Sequence, residues 1–207
     1  MTMTITPVKL PLALQNQTNG DLDRGLLKPV GDRTVALAVV ADWFKVMQDE
    51  FLKDRGRLLS FTYGGGYRTW DQQYNLFTSR YEKVSWATYA LTPKARRKTW
   101  NAEVGFHKVL NPSKSYWRLK IIGYTLSGSP RYPAMAAVPG TSNHGLGLAI
   151  DLAIGTPQTA QGVNAADRAW LEANIHRFGF SYESLSEPWH VRYVIGDACP
   201  PHIFETR

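Results

Sequence analysis

The chain has 207 residues, 43% hydrophobic and 12% aromatic against 20% charged, a balance that fits one globular domain and excludes general disorder. Its one cysteine, Cys199, excludes an internal disulfide, a thiolate zinc finger and an iron–sulfur site, so any metal must take nitrogen and oxygen ligands. The formal charge of +7 is regional: residues 80–131 hold eleven Lys or Arg against Glu82 and Glu103, a local surplus of nine that leaves −2 elsewhere.

No apolar run reaches the roughly 20 residues that span a bilayer. The amino terminus has only Lys9 after Met1, and Pro7 and Pro11 break its apolar residues. That makes a poor secretory signal, so the chain is expected to be made in the cytoplasm. Residues 1–31 read as an extended lead-in and 32–207 as a single domain. Asp32 is placed to cap a helix to about Arg55, with Leu37, Val40, Phe44, Met47 and Phe51 as its buried stripe. Arg57 to Tyr63 alternates, with Leu59, Phe61 and Tyr63 on one face, and predicts a strand ended by Gly64, Gly65 and Gly66.

Thr69 and Gln72 form a capping box before a helix from Trp70 to about Arg80, which leaves Arg68 displayed just outside it. From about 81 to 139 the pattern is that of an irregular, basic, aromatic insertion with one strand near Trp117 to Tyr124. Interleaved cations and aromatics suit an anionic polymer of the cell wall or a nucleic acid, or else rings packed inward under a solvated surface. Asn164 opens a last helix, with Asp167 in its first turn, Trp170, Leu171 and Ile175 on its apolar side and Gly179 as its stop. The class is α+β.

The chemistry concentrates in two segments. In TSNHGLGLAIDL, Thr141 to Leu152, the second half reads as a strand. Leu148, Ile150 and Leu152 face a core, while Gly147, Ala149 and Asp151 face the other way, the small residues leaving space for a carboxylate over a cleft. In EPWHVRYV, from Glu187, His190 takes the face opposite Trp189, Val191 and Tyr193. If the strands are neighbours, His144, Asp151 and His190 supply two imidazoles and one carboxylate, the ligand set of an open catalytic zinc site. Glu187 is then the candidate base for water, Arg68 a cation for a substrate carboxylate or an oxyanion, and Gln73 a group orienting the same substrate. Gly145 and Gly147 lack the third glycine and following helix of a dinucleotide site. His107, His176 and His202 lie in no motif and read as structural, and Cys199 as an incidental thiol.

These segments resemble those of the zinc D-alanyl-D-alanine metallopeptidases, which include VanY-type carboxypeptidases and phage L-alanyl-D-glutamate endolysins. SNHGLGLAID fits the family's SxHxxGxAxD motif, EPWH its ExWH motif, and GYRTWDQQ is similar to its GYRSxxxQ segment. The resemblance implies one Zn2+ on His144, Asp151 and His190, with Glu187 as base, Arg68 and Gln73 binding substrate, and Ser142 bonding to substrate or to a ligand. It also implies a small antiparallel sheet flooring a zinc cleft, flanked by helices in the Hedgehog/DD-peptidase manner.

Three functions follow as expectations. The first is an L-Ala-D-Glu endopeptidase of the peptidoglycan stem peptide, a phage-type endolysin acting on the wall after release at lysis. The second is a D-alanyl-D-alanine carboxypeptidase, and the third a non-catalytic, zinc-stabilised wall-binding module. The basic insertion could attract an anionic wall polymer. Nucleic-acid binding is the weaker alternative for it.

Overall fold

The computed structural model describes residues 5–31, 33–100, 114–153, 165–184 and 186–205. The chain divides into two compact units, one of Met1–Gln17, Leu22–Arg68 and Leu146–Arg207, the other of Thr18–Asp21 and Thr69–Gly145. Among the described residues no helix is long and apolar enough to cross a membrane.

The first unit begins with two short 3-10 turns, Leu12–Leu14 and Arg24–Leu26, then β1 (Leu27–Gly31) pairs antiparallel with β2 (Thr34–Leu37). The extended lead-in expected for residues 1–31 is thus replaced, where described, by turns and a strand. Burial explains this: Leu14 and Leu22 join the core, and the Lys9 amide donates to the Val194 carbonyl at 2.8 Å. Helix α1 (Ala38–Arg55) starts later than expected because β2 occupies the preceding residues; Asp32 lies outside the described residues. Its stripe of Val40, Ala41, Phe44, Met47 and Phe51 is buried as the three-and-four spacing requires. Gly56, at φ +70°, ends the helix and donates to the Leu52 carbonyl.

Arg57–Tyr63 forms no continuous strand. Phe61 makes one antiparallel bridge to Leu152, and a turn closed by the Gly65 amide on the Thr62 carbonyl (2.8 Å) cuts the alternation short. Tyr63 is consequently exposed while Leu59 is buried. Three short antiparallel strands make the sheet that matters for function: β8 (Ala149–Asp151), β9 (Phe180–Tyr182) and, between them, β10 (His190–Tyr193). Helix α4 (Ala165–Asn174) runs into a 3-10 turn, Ile175–Phe178, stopped by Gly179 at φ +83°. The expected opener, Asn164, lies outside the described residues. Asp167 is buried in the first turn, accepts from Arg55 Nε at 3.1 Å and is ion-paired with Arg57. A short α5 (His202–Glu205) lies near the carboxyl end.

In the second unit α2 (Trp70–Arg80) carries the expected capping box: the Gln72 amide donates to Thr69 Oγ1 and the Thr69 amide to Gln72 Oε1. The stretch expected to be irregular is largely regular where described. It contains β3 (Tyr81–Val84), α3 (Trp86–Leu91), β4 (Arg97–Trp100) and β5 (Ser115–Leu119), with β5 central in an antiparallel sheet, and a small ribbon of β6 (Gly123–Tyr124) and β7 (Pro130–Arg131). The expected strand near Trp117 to Tyr124 therefore starts earlier and breaks after Leu119. Aromatic packing is the reason for the order. Phe77, Tyr81, Leu119 and Ala136 form a core with Trp100 and Trp117 against it, while Trp86 and Tyr124 stay exposed. The architecture is α+β.

Candidate metal centre

The sheet register fixes two of the three expected ligands. His190 lies directly opposite Asp151 in the β8–β10 pair, followed by Val191 opposite Ile150 and Arg192 opposite Ala149. Residues opposite each other share a face, so the imidazole and the carboxylate meet: His190 Nδ1 is 2.8 Å from Asp151 Oδ1. Leu148, Ile150, Leu152, Val191 and Tyr193 are buried in the first unit's core and anchor the pair from below.

The third ligand depends on a turn. Ser142 is buried, its hydroxyl accepts from the His144 amide at 3.3 Å, and its carbonyl accepts from the Gly145 amide at 3.0 Å. Asn19 donates to the same Ser142 carbonyl at 2.8 Å, and the Gly20 amide to the Gly145 carbonyl at 2.7 Å. His144 then begins the 3-10 turn His144–Leu146 that leads towards β8. One ligand atom each from His144, Asp151 and His190 lie within 4.8 Å of one another. Two nitrogens and one oxygen at that spacing could hold a divalent cation of the zinc type.

The space expected from Gly147 is not the reason for that glycine. Its φ is +65°, and a Cβ there would sit 2.7 Å from the Leu37 amide nitrogen, which donates to the Gly147 carbonyl at 3.0 Å. Backbone approach, not room above the sheet, demands glycine. Gly65 is a similar case: a Cβ would meet the carbonyls of Thr62 at 2.7 Å and Asp151 at 3.0 Å. The Asp151 amide donates to the Gly65 carbonyl, so the glycine loop clamps the strand that carries the ligand.

The other sequence-predicted residues lie as follows. Glu187 is half-buried and stands outside the three-residue ligand cluster; its carbonyl accepts from the His190 amide at 2.9 Å, which ties it to that ligand through the backbone. Arg68 is half-buried just before the Thr69 cap. Gln73 is buried and donates to the Ala137 carbonyl at 2.7 Å. Trp189 packs against the first unit's core.

Sequence reasoning missed Glu183. Its Oε2 is 2.6 Å from His190 Nε2, so both ring nitrogens of His190 have a carboxylate beside them. Burial alone pushes the His190 pKa down, but the bonds to Asp151 and Glu183 and their charges outweigh it and raise the pKa to about 9. No motif contains Glu183; the available signal was the short strand before it, which sequence periodicity did not reveal.

The sheet carries a carboxylate paired with an imidazole that, together with His144, could hold a metal ion, and the chain belongs to the VanY D-alanyl-D-alanine carboxypeptidase family, whose family model matches residues 38–197. It is similar to a D-alanyl-D-alanine carboxypeptidase of Enterococcus faecalis, 36% identical over 89 residues that cover 36% of this chain and 31% of that protein. It is also similar to the putative carboxypeptidase YodJ of Bacillus subtilis, 32% identical over 97 residues, 39% of this chain and 36% of that one. The matches span about a third of each curated relative. Among solved structures, a variant of the vancomycin-resistance D,D-pentapeptidase VanY in complex with Zn(II) aligns with a TM-score of 0.49 at 22% identity, over 96% of this chain and 88% of that one.

Proposed function

We propose that the protein is a zinc-dependent D-alanyl-D-alanine carboxypeptidase acting on the peptidoglycan stem peptide. The observation that carries the reading is the His144, Asp151 and His190 cluster within the span that matches the VanY family. The same family match favours this reading over the L-Ala-D-Glu endolysin expected first. It also favours an enzyme over a zinc-stabilised binding module.

In this reading His144, Asp151 and His190 hold the ion. The chemistry a zinc ion would supply there is Lewis acidity towards water and the scissile carbonyl. Glu187 takes a proton from the attacking water on its carboxylate and gives it to the nitrogen of the departing D-alanine. Arg68 binds the free carboxylate of the terminal residue, a charge-assisted contact that an internal bond would not offer. Gln73 and Ser142 are the remaining substrate-binding residues in this reading.

Purified, zinc-loaded protein incubated with pentapeptide muropeptides, followed by mass spectrometry, tests the proposal. Loss of one terminal D-alanine is the expected product. Cleavage between L-Ala and D-Glu would restore the endopeptidase, and intact muropeptides would favour the binding module.

A further inference from the structure

We propose that Glu183 is the positioning residue of the metal centre: it holds the Nε2–H of His190 and so presents the opposite nitrogen, Nδ1, to the cation beside Asp151. The inference rests on reading His144, Asp151 and His190 as the metal ligands.

The placement begins in the backbone. In the β9–β10 pair Val191 lies opposite Tyr182 and Arg192 opposite Ser181. Carrying this antiparallel register one residue further sets Glu183 against His190. On the other side of β10 the register sets Asp151 against the same residue. His190 therefore occupies the central strand with one carboxylate from each neighbour, 2.8 Å from Nδ1 and 2.6 Å from Nε2.

The two carboxylates are not equivalent. Asp151 belongs to the three-residue ligand cluster and Glu183 does not. A neutral imidazole has one lone pair and one N–H, and whichever nitrogen keeps the proton turns the other towards the metal. Since Nδ1 is the nitrogen beside Asp151, the proton belongs on Nε2, where Glu183 accepts it. A carboxylate in that role fixes the tautomer, sets the ring plane and raises the basicity of the ligating nitrogen.

Glu183 is itself held. Arg192 lies two residues beyond His190, hence on the same face of β10, and its guanidinium approaches Glu183 Oε1 at 3.7 Å while donating to the Thr6 carbonyl at 3.2 Å. That cation occupies one carboxylate oxygen and leaves Oε2 for the imidazole. The Thr6 amide donates to Ser181 Oγ at 2.9 Å, so the amino-terminal segment braces the strand from which Glu183 extends. The chain of contacts runs from Thr6 through Arg192 and Glu183 to His190. It gives the packed amino-terminal residues a bearing on the metal site.

The test compares zinc affinity in wild type, Glu183→Gln and Glu183→Leu by competition with a chromogenic chelator. It is paired with long-range proton–nitrogen NMR of the histidine rings in the zinc-loaded protein. Glu183 is 38% exposed on its side chain, so both variants are expected to fold, checked by thermal unfolding without metal. Glu183→Gln, which keeps an acceptor but not the charge, should bind zinc about 10-fold more weakly, and Glu183→Leu up to about 100-fold. Wild-type His190 should show a protonated, slowly exchanging Nε2 and a metal-bound Nδ1, with the Nε2 proton exchanging faster in Glu183→Leu. Zinc affinities within twofold of wild type in both variants, or coordination through Nε2, would overturn the proposal while leaving the triad standing. If wild type takes up no zinc, or His144→Ala and Asp151→Ala bind it as well as wild type, the triad fails and the proposal with it.

Discussion

Gly147 joins the turn of His144 to the strand of Asp151, and its replacement by alanine separates two costs that are usually confounded. At φ +65° an L-residue is strained by about 1–2 kcal/mol. The new Cβ would also lie 2.7 Å from the Leu37 nitrogen and 3.3 Å from the Leu37 Cβ. Relieving that overlap by backbone movement costs about 1–3 kcal/mol, and weakening the Leu37 amide bond to the Gly147 carbonyl about 1 kcal/mol more. Gly56 supplies the control: its φ is +70°, yet among the described residues nothing lies within 4 Å of its would-be Cβ, so alanine there meets the conformational cost alone. Gly147→Ala should therefore lose about 3–6 kcal/mol against about 1–2 kcal/mol for Gly56→Ala. In thermal unfolding, at about 2–4 °C per kcal/mol for a chain of this size, that is roughly 6–24 °C against roughly 2–8 °C. Zinc affinity, measured alongside, should fall only in Gly147→Ala. Equal losses in the two variants would show that Leu37 does not press on Gly147, and the account of this turn would be wrong.

Three further outcomes follow from the same geometry. His144→Ala and Asp151→Ala should each lose stoichiometric zinc in metal analysis, whereas Glu187→Gln should retain it while turnover of pentapeptide falls by about 10²–10⁴; a fully active Glu187→Gln would remove it as the base. Arg55→Ala and Arg57→Ala each leave Asp167 one cation, but the double variant leaves a carboxylate only 3% exposed without either. By urea unfolding the double should cost about 3–5 kcal/mol, more than the sum of the singles, and strict additivity would refute the shared pairing. Tyr193 is buried and its phenol has no hydrogen-bond partner among the described residues, so desolvation first, with Asp197 adding to it, pushes its pKa up to about 12. A folded-state pKa above the unfolded value of 10 means that stability present below pH 10 is lost as pH rises towards 12. Tyr193→Phe should move the alkaline unfolding midpoint, followed by circular dichroism, to higher pH, and an unchanged midpoint would count against the burial argument.

What could be seen in the sequence, and what could not, divides along a physical line. Alternation and helical spacing report which faces are apolar, so the α1 stripe, the α2 capping box and the Gly179 stop were legible, as were the opposed faces of Asp151 and Ile150. The metal cluster was legible because its chemistry restricts the residue types and their spacing. Short strands outside the two motif segments were not. β2, β3, β4 and β9 are too short for period-two alternation to accumulate, and their existence depends on partners remote in the chain. β1 and β2 went unseen because packing overrode an apparently open amino terminus, which also displaced the expected start of α1.

The same line explains why Glu183 escaped notice while Glu187 did not. A ligand or base must be a particular residue at a particular spacing, and that leaves a motif. A supporting carboxylate needs only to stand where a neighbouring strand passes, so its signal is the β9–β10 register, which exists only once the chain has folded. Because the register fixes the backbones of Asp151, His190 and their neighbours together, the Asp151–His190 spacing is set by the hydrogen-bond ladder of the sheet rather than by side-chain rotamers alone. His144 begins a 3-10 turn instead, and Ser142, Asn19 and Gly20 bond the backbone of that turn. Of the three proposed ligands, His144 is the one set on a turn, and Asn19, whose side chain donates to the Ser142 carbonyl, is where a distant substitution would act on that turn.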